Sequence, residues 1–152
     1  MYKSSPMYKV MMQYAHHSHN ECEFIKEAQG DDCLHCFDNI DWAEQALKAC
    51  EERKVTPTLA FESDENDDLI WFSVVGDDKT IKFVSECSLE GQIPKVFGLI
   101  KQHGKVSLDS PELSSDDVRE ALRLFMKKDV RGLNEIYRKP RVAAEKSEIV
   151  AH

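Results

Sequence analysis

The stretch Leu69-Ile70-Trp71-Phe72-Ser73-Val74-Val75 is the densest apolar run in the chain, and its reading decides the fold. It reads as the central strand of a β-meander over about residues 57–87. The strand before it is Thr58-Leu59-Ala60-Phe61-Glu62, and the one after it is Thr80-Ile81-Lys82-Phe83-Val84-Ser85-Glu86-Cys87. Both neighbours alternate, with Leu59 and Phe61 or Ile81 and Phe83 on one face and Glu62, Lys82 and Glu86 opposite. Period-2 alternation marks a strand with one face in water. The central strand instead carries Leu69, Trp71 and Val75 on one face and Ile70, Phe72 and Val74 on the other. A strand that is apolar on both faces calls for cover on both. The cover of Ile70, Phe72 and Val74 is either a helix of the same chain or the seam of a homodimer.

The turns of this meander hold the charge. Glu62-Ser63-Asp64-Glu65-Asn66-Asp67-Asp68 has five carboxylates in seven residues, and Gly76-Asp77-Asp78-Lys79 adds two more. Residues 55–91 carry net −7 of the chain's −8, whereas residues 92–152 carry +3. An acidic balance argues against direct binding to nucleic acid, whose phosphates attract cations. It suits a basic protein partner instead. Glu62, Asp64, Glu65, Asp67, Asp68, Asp77 and Asp78 are therefore the expected partner-binding residues. They would act as a carboxylate array that imitates nucleic-acid phosphates or meets a Lys/Arg patch. The bland alternative is a solvated hairpin tip that keeps a sheet edge soluble.

Outside the meander, Tyr8, Val10, Met12 and Tyr14 alternate within residues 7–15 and predict a strand that joins the same sheet. Asn20 followed by Glu23 matches a capping box, so a helix is expected over 20–29, ending at Gly30. A loop follows over 31–36, then a longer helix from Asp38 or Asn39 that turns Ile40, Ala43, Leu47 and Cys50 to the sheet. Ile93, Val96, Phe97 and Ile100 have helical spacing and predict a helix closed by Gly104. Residues 105–113 read as a loop. Ser114 or Ser115 caps another helix with Val118, Ala121, Leu122, Phe125 and Met126 as its apolar face. A last helical segment after Gly132 carries Leu133, Ile136 and Tyr137. The expectation is a single α+β domain over 1–139: a mostly antiparallel sheet, formed by an N-terminal strand and the meander, covered by helices. The C-terminal third is helical, and 140–152 is a flexible tail.

A length of 152 residues suits one domain with a real core. No apolar run is long enough to span a bilayer, and the N-terminus lacks signal-peptide features, so no membrane role is expected. Five cysteines, an odd number without a secreted disulfide layout, point to the cytoplasm.

Chemistry is concentrated in one stretch. His19-x2-Cys22 and Cys33-x2-Cys36 are two ligand pairs of the type that delivers a tetrahedral, structural zinc site, and the alternative is scattered core thiols with surface histidines. Cys33-Leu34-His35-Cys36 also reads as a redox pair ahead of a helix, although Asp31, Asp32 and Asp38 oppose thiolate formation. His16, His17 and His19 with Asp31 or Asp32 could hold a catalytic metal. There is no Gly-rich phosphate loop, two-His helix motif or Gly-flanked serine elbow. Arg119, Arg123, Lys127, Lys128 and Arg131 form a basic stripe: a wet helix face, a contact for phosphates, or a contact for the acidic meander of a second copy. The function expected from the residues is a small non-catalytic inhibitor, immunity or adaptor protein. Its alternative is a metal-dependent hydrolase or thiol oxidoreductase using the Cys/His cluster.

Overall fold

The computed structural model describes residues 6–65, 67–76, 79–90, 105–109 and 112–138. In chain order these form β1 (Tyr8–Gln13), β2 (Glu23–Ala28), α1 (Asp31–Asp38), α2 (Trp42–Glu52), β3 (Thr58–Ser63), β4 (Leu69–Gly76), β5 (Ile81–Glu90), β6 (Lys105–Asp109), α3 (Ser115–Met126) and α4 (130–138). The strands make one antiparallel sheet in the order β2-β1-β3-β4-β5-β6. The fold is α+β, and the apolar run 69–75 lies inside it, hydrogen-bonded on both edges, to β3 through Ile70↔Phe61 and to β5 through Ile70↔Cys87.

One face of the sheet is covered. Tyr8, Val10 and Met12 of β1, Leu59 and Phe61 of β3, Ile70, Phe72 and Val74 of β4, and Phe83, Cys87 and Leu89 of β5 are all buried there. Full burial of one such side chain contributes about 1.5–3 kcal/mol, so this layer dominates stability. Phe37 of α1 packs on it at a steep ring angle, with ring centroids 6.3 Å from Phe72 and 5.3 Å from Phe83. Trp42 meets Phe83 edge-on at 5.1 Å, and Phe125 of α3 lies 5.5 Å from Tyr8. Tyr137 of α4 shares a 2.7 Å hydrogen bond with Ser85 of β5. Ile70, Phe72 and Val74 are thus covered by helices of their own chain. Asp38 of α1 and Arg119 of α3 tie the helix layer together at 2.8 Å.

Several local expectations are corrected. Residues 23–28 are a strand, not part of a helix. Glu21 accepts the backbone N–H of Ser18 at 2.8 Å, and its own N–H reaches the Ser18 carbonyl, so 18–21 closes a turn. The chain then runs back along β1, with Phe24 opposite Met11. A short isolated helix is marginal in water, whereas pairing gives this segment's backbone a partner strand. Residues 31–38 are helical rather than a loop and follow directly on Gly30, whose φ of 55° suits glycine. In α2 the N-cap is Asp41, which accepts from the Glu44 N–H at 3.1 Å. The buried residues are Trp42, Gln45 and Ala46, while Leu47 and Cys50 are exposed. The Trp42 contact with Phe83, and the 2.8 Å bond from the Ala15 N–H to the Gln45 side chain, set this rotation. Residues 105–109 pair with β5 as β6. The last helix begins at 130, before Gly132.

Ser114 does cap α3, in a reciprocal capping box with Asp117. The helix expected over 94–104 and the tail 140–152 lie outside the described residues.

Candidate functional site

The described residues of the acidic turn between β3 and β4 are tied down by hydrogen bonds. The Ser63 N–H donates to the Asp68 carbonyl at 2.9 Å, the Glu65 N–H donates to the Ser63 hydroxyl at 3.2 Å, and the Asp64 N–H donates to the Met7 carbonyl at 3.2 Å. Glu62, Asp64, Glu65 and Asp67 are exposed. Among the described residues, none of these four has a Lys or Arg within ion-pair distance.

Asp68 is different. It is 1% exposed and lies 3.6 Å from Nζ of Lys128, just beyond the end of α3. It has the strand parity of Ile70, Phe72 and Val74, so its side chain turns under the helix layer. This carboxylate joins the turn to α3 and is not offered to a partner. Asp77 and Asp78 lie outside the described residues. The strand ends that flank them, Gly76 and Ile81, pair with each other at the opposite end of the sheet from Leu69. Along an eight-residue strand that is roughly 25 Å from the first turn.

The structure adds a carboxylate that the sequence reading placed in a helix. Glu27 of β2 pairs across Lys9 of β1, which in turn stands opposite Glu62 of β3. A hydrogen bond to the Asp64 carboxyl, reinforced by that group's charge, raises the Glu27 pKa above its ordinary value. Two carboxyl groups meeting this closely compete to stay protonated. Glu27, Glu62, Asp64, Glu65 and Asp67 thus crowd one end of the sheet, with Lys9 between two of them. No sequence signal marked Glu27: its segment reads as a helix, and only the pairing of β2 with β1 brings it to the acidic turn.

The Cys/His residues are divided between the two faces. His19 and Cys22 stand in the loop before β2, beside Met11 and Ala60 on the face away from the helices. Cys33 and Cys36 are buried in α1 on the covered face. The proposed tetrahedral set is therefore not brought together. Among the described residues, no group of three or more His, Cys, Asp or Glu side chains is placed to hold a metal ion. Burial, with Cys36 and Asp32 nearby, pushes the Cys33 thiol up to about 12, and burial also raises Cys36. Such thiols remain protonated at neutral pH, unlike the thiolate of a redox or nucleophilic cysteine. His17 is buried and accepts the Tyr14 N–H at 2.9 Å, while His16 stacks on Tyr14. Both shape the loop after β1.

Part of the basic stripe is engaged within the chain. Arg119 bonds Asp38 and Asp116 and lies 5.8 Å over the Phe37 ring, Arg123 meets Glu120, and Lys128 meets Asp68. No described helix is long and apolar enough to cross a membrane. Compared with known proteins, the chain matches no family model, no curated protein and no solved structure.

Proposed function

We propose that the chain is a small non-catalytic binding protein of the inhibitor, immunity or adaptor type. It docks the carboxylate-rich end of its sheet on a basic protein. A nuclease or another nucleic-acid-binding protein is the natural class of partner, because such a surface already accepts phosphate. One observation carries the reading: Glu62, Asp64, Glu65 and Asp67 are exposed, close together on a pinned turn, and without a cationic partner among the described residues. Glu27 extends the array to the edge strand. A preformed array of like charge loses little conformational freedom on binding and steers an oppositely charged partner. Asp68 is left out of the docking set.

The test is paired capture from native lysate, using the wild type and the variant Glu62→Gln/Asp64→Asn/Glu65→Gln/Asp67→Asn. The wild type should retain a basic protein that salt releases, and the variant should lose it while keeping its fold by circular dichroism. Equal retention by both proteins, or binding indifferent to salt, would refute the reading.

A further inference from the structure

The face of the sheet away from the helices is apolar across four strands. In register, Phe24 of β2 stands opposite Met11 of β1, Met11 opposite Ala60 of β3, and Ala60 opposite Trp71 of β4. Leu69, Val75 and Val84 flank this row on the same face. Phe24 is 59% exposed, and Met11, Ala60 and Trp71 are half-buried. Helices α1 to α4 all pack on the opposite face, so among the described residues no element covers this row. With strands about 4.8 Å apart it extends roughly 14 Å, about the length of ten helical residues.

Beside the row, the loop 14–22 walls off a cavity of about 220 Å³ whose lining includes Met11, Ala60, His19 and Cys22. The wall is preformed. The Gln13 side-chain amide donates to the carbonyls of Ser18, His19 and Glu21 at 3.1, 3.2 and 3.0 Å. Glu21, at the rim, accepts the Ser18 N–H. The charge around the row is biased: Glu21, Glu27 and Glu62 lie around it, Glu86 accepts the Trp71 indole N–H at 3.3 Å, Lys9 stands between Glu27 and Glu62, and Lys82 is 3.4 Å from Glu112.

We propose that this face receives a cationic amphipathic helix of the partner. Its apolar stripe lies on the row Phe24, Met11, Ala60 and Trp71, one apolar side chain enters the loop-walled cavity, and its Lys/Arg face meets the carboxylate rim. The inference rests on the acidic docking reading and deepens it by naming the partner's shape. A partner that was only cationic would leave the apolar row wet, whereas an uncharged apolar helix would leave the carboxylates unanswered. An aromatic and apolar centre with a charged rim is the usual anatomy of a binding patch.

Two exposed cysteines provide an internal control in the unmodified protein. Cys22 lies in the cavity wall, and Cys50 is exposed on α2, on the other side of the sheet. The probes are a synthetic Leu/Lys peptide with leucines at i, i+3, i+4 and i+7, and an oligolysine of equal charge. Binding is followed by fluorescence anisotropy, and iodoacetamide alkylation of each cysteine by mass spectrometry. The amphipathic peptide should slow alkylation of Cys22 at least fivefold and leave Cys50 unchanged. Oligolysine should bind more weakly and leave Cys22 open. Trp71→Ser, or independently Met11→Ser, should weaken the amphipathic peptide about tenfold and leave oligolysine unaffected.

If the amphipathic peptide binds without protecting Cys22, or if both probes protect it equally, the inference fails and the acidic docking reading stands. Binding of neither probe at low salt would overturn both. A Cys22 that is slow to alkylate in the free protein would also overturn the inference. Sedimentation would then distinguish a second copy on the face from residues 92–103 of the same chain.

Discussion

Asp67 and Asp68 are adjacent carboxylates with opposite duties, and neutralising each in turn should separate stability from binding. Asp67 is exposed and has no cationic partner among the described residues. Asp68 is 1% exposed and 3.6 Å from Lys128, whose side chain is 49% exposed. At an effective dielectric of 20, the Coulomb attraction at that distance is about 4–5 kcal/mol before any desolvation cost. Water around Lys128 screens the pair, and the buried carboxylate loses hydration, so much of that attraction is offset. A net loss of about 2 kcal/mol is therefore expected for Asp68→Asn, the usual scale for a charged hydrogen bond in a buried setting. Asp67→Asn should stay within about 0.5 kcal/mol of the wild type. In urea, with a slope of about 2 kcal/mol/M, the Asp68 variant should unfold about 1 M earlier and the Asp67 variant at an unchanged midpoint. A double-mutant cycle with Lys128→Met isolates the pair itself. If Asp68→Asn leaves the midpoint unmoved, or Asp67→Asn lowers it by as much, the assignment of the two residues is wrong.

Three further outcomes are expected. Asp64→Asn should bring the Glu27 titration back down toward the ordinary carboxylate range, as read by side-chain carboxyl NMR. Because the Glu27 pKa is raised in the fold, its contribution to stability is fully present below the unfolded value and is lost as pH rises through the raised value. A cationic partner should likewise lower it and release a proton on binding. In the native protein iodoacetamide should modify Cys22 and Cys50 alone, and Cys33, Cys36 and Cys87 should react only after denaturation, giving two mass increments before unfolding and five after it. Ser114→Ala removes the side chain that accepts the Asp117 N–H at 3.1 Å. It should cost about 1 kcal/mol, or about 2–4 °C in melting temperature by calorimetry.

Much of the α+β fold was legible in the residues. The run 69–75 and its alternating neighbours gave β3, β4 and β5 because a strand's period is written in the residues of the strand itself. Ser114 with Asp117 gave the start of α3 for the same reason: a cap is an interaction over three residues. The strand 23–28 was misread because its cap-like entry, Asn20 to Glu23, resembled a helix start, and only the pairing with β1 showed otherwise. Residues 105–109 do alternate, with Val106 and Leu108 between polar neighbours, but five residues beside a proline were too short a signal.

The candidate site divides in the same way. Sequence alone determined that carboxylates gather in the turn 62–68, since that is a matter of composition. The sequence reading set Asp68 among the docking carboxylates although its parity matches Ile70 and Phe72, and its partner Lys128, 60 residues away, could be found only in three dimensions. The meeting of Glu27 with Asp64, the separation of Cys22 from Cys33 and Cys36, and the choice of which sheet face the helices cover were decided by tertiary structure. Each depends on which strands become neighbours and on which side the connections cross. Those outcomes are set by the packing energy of the whole core rather than by any short segment of chain.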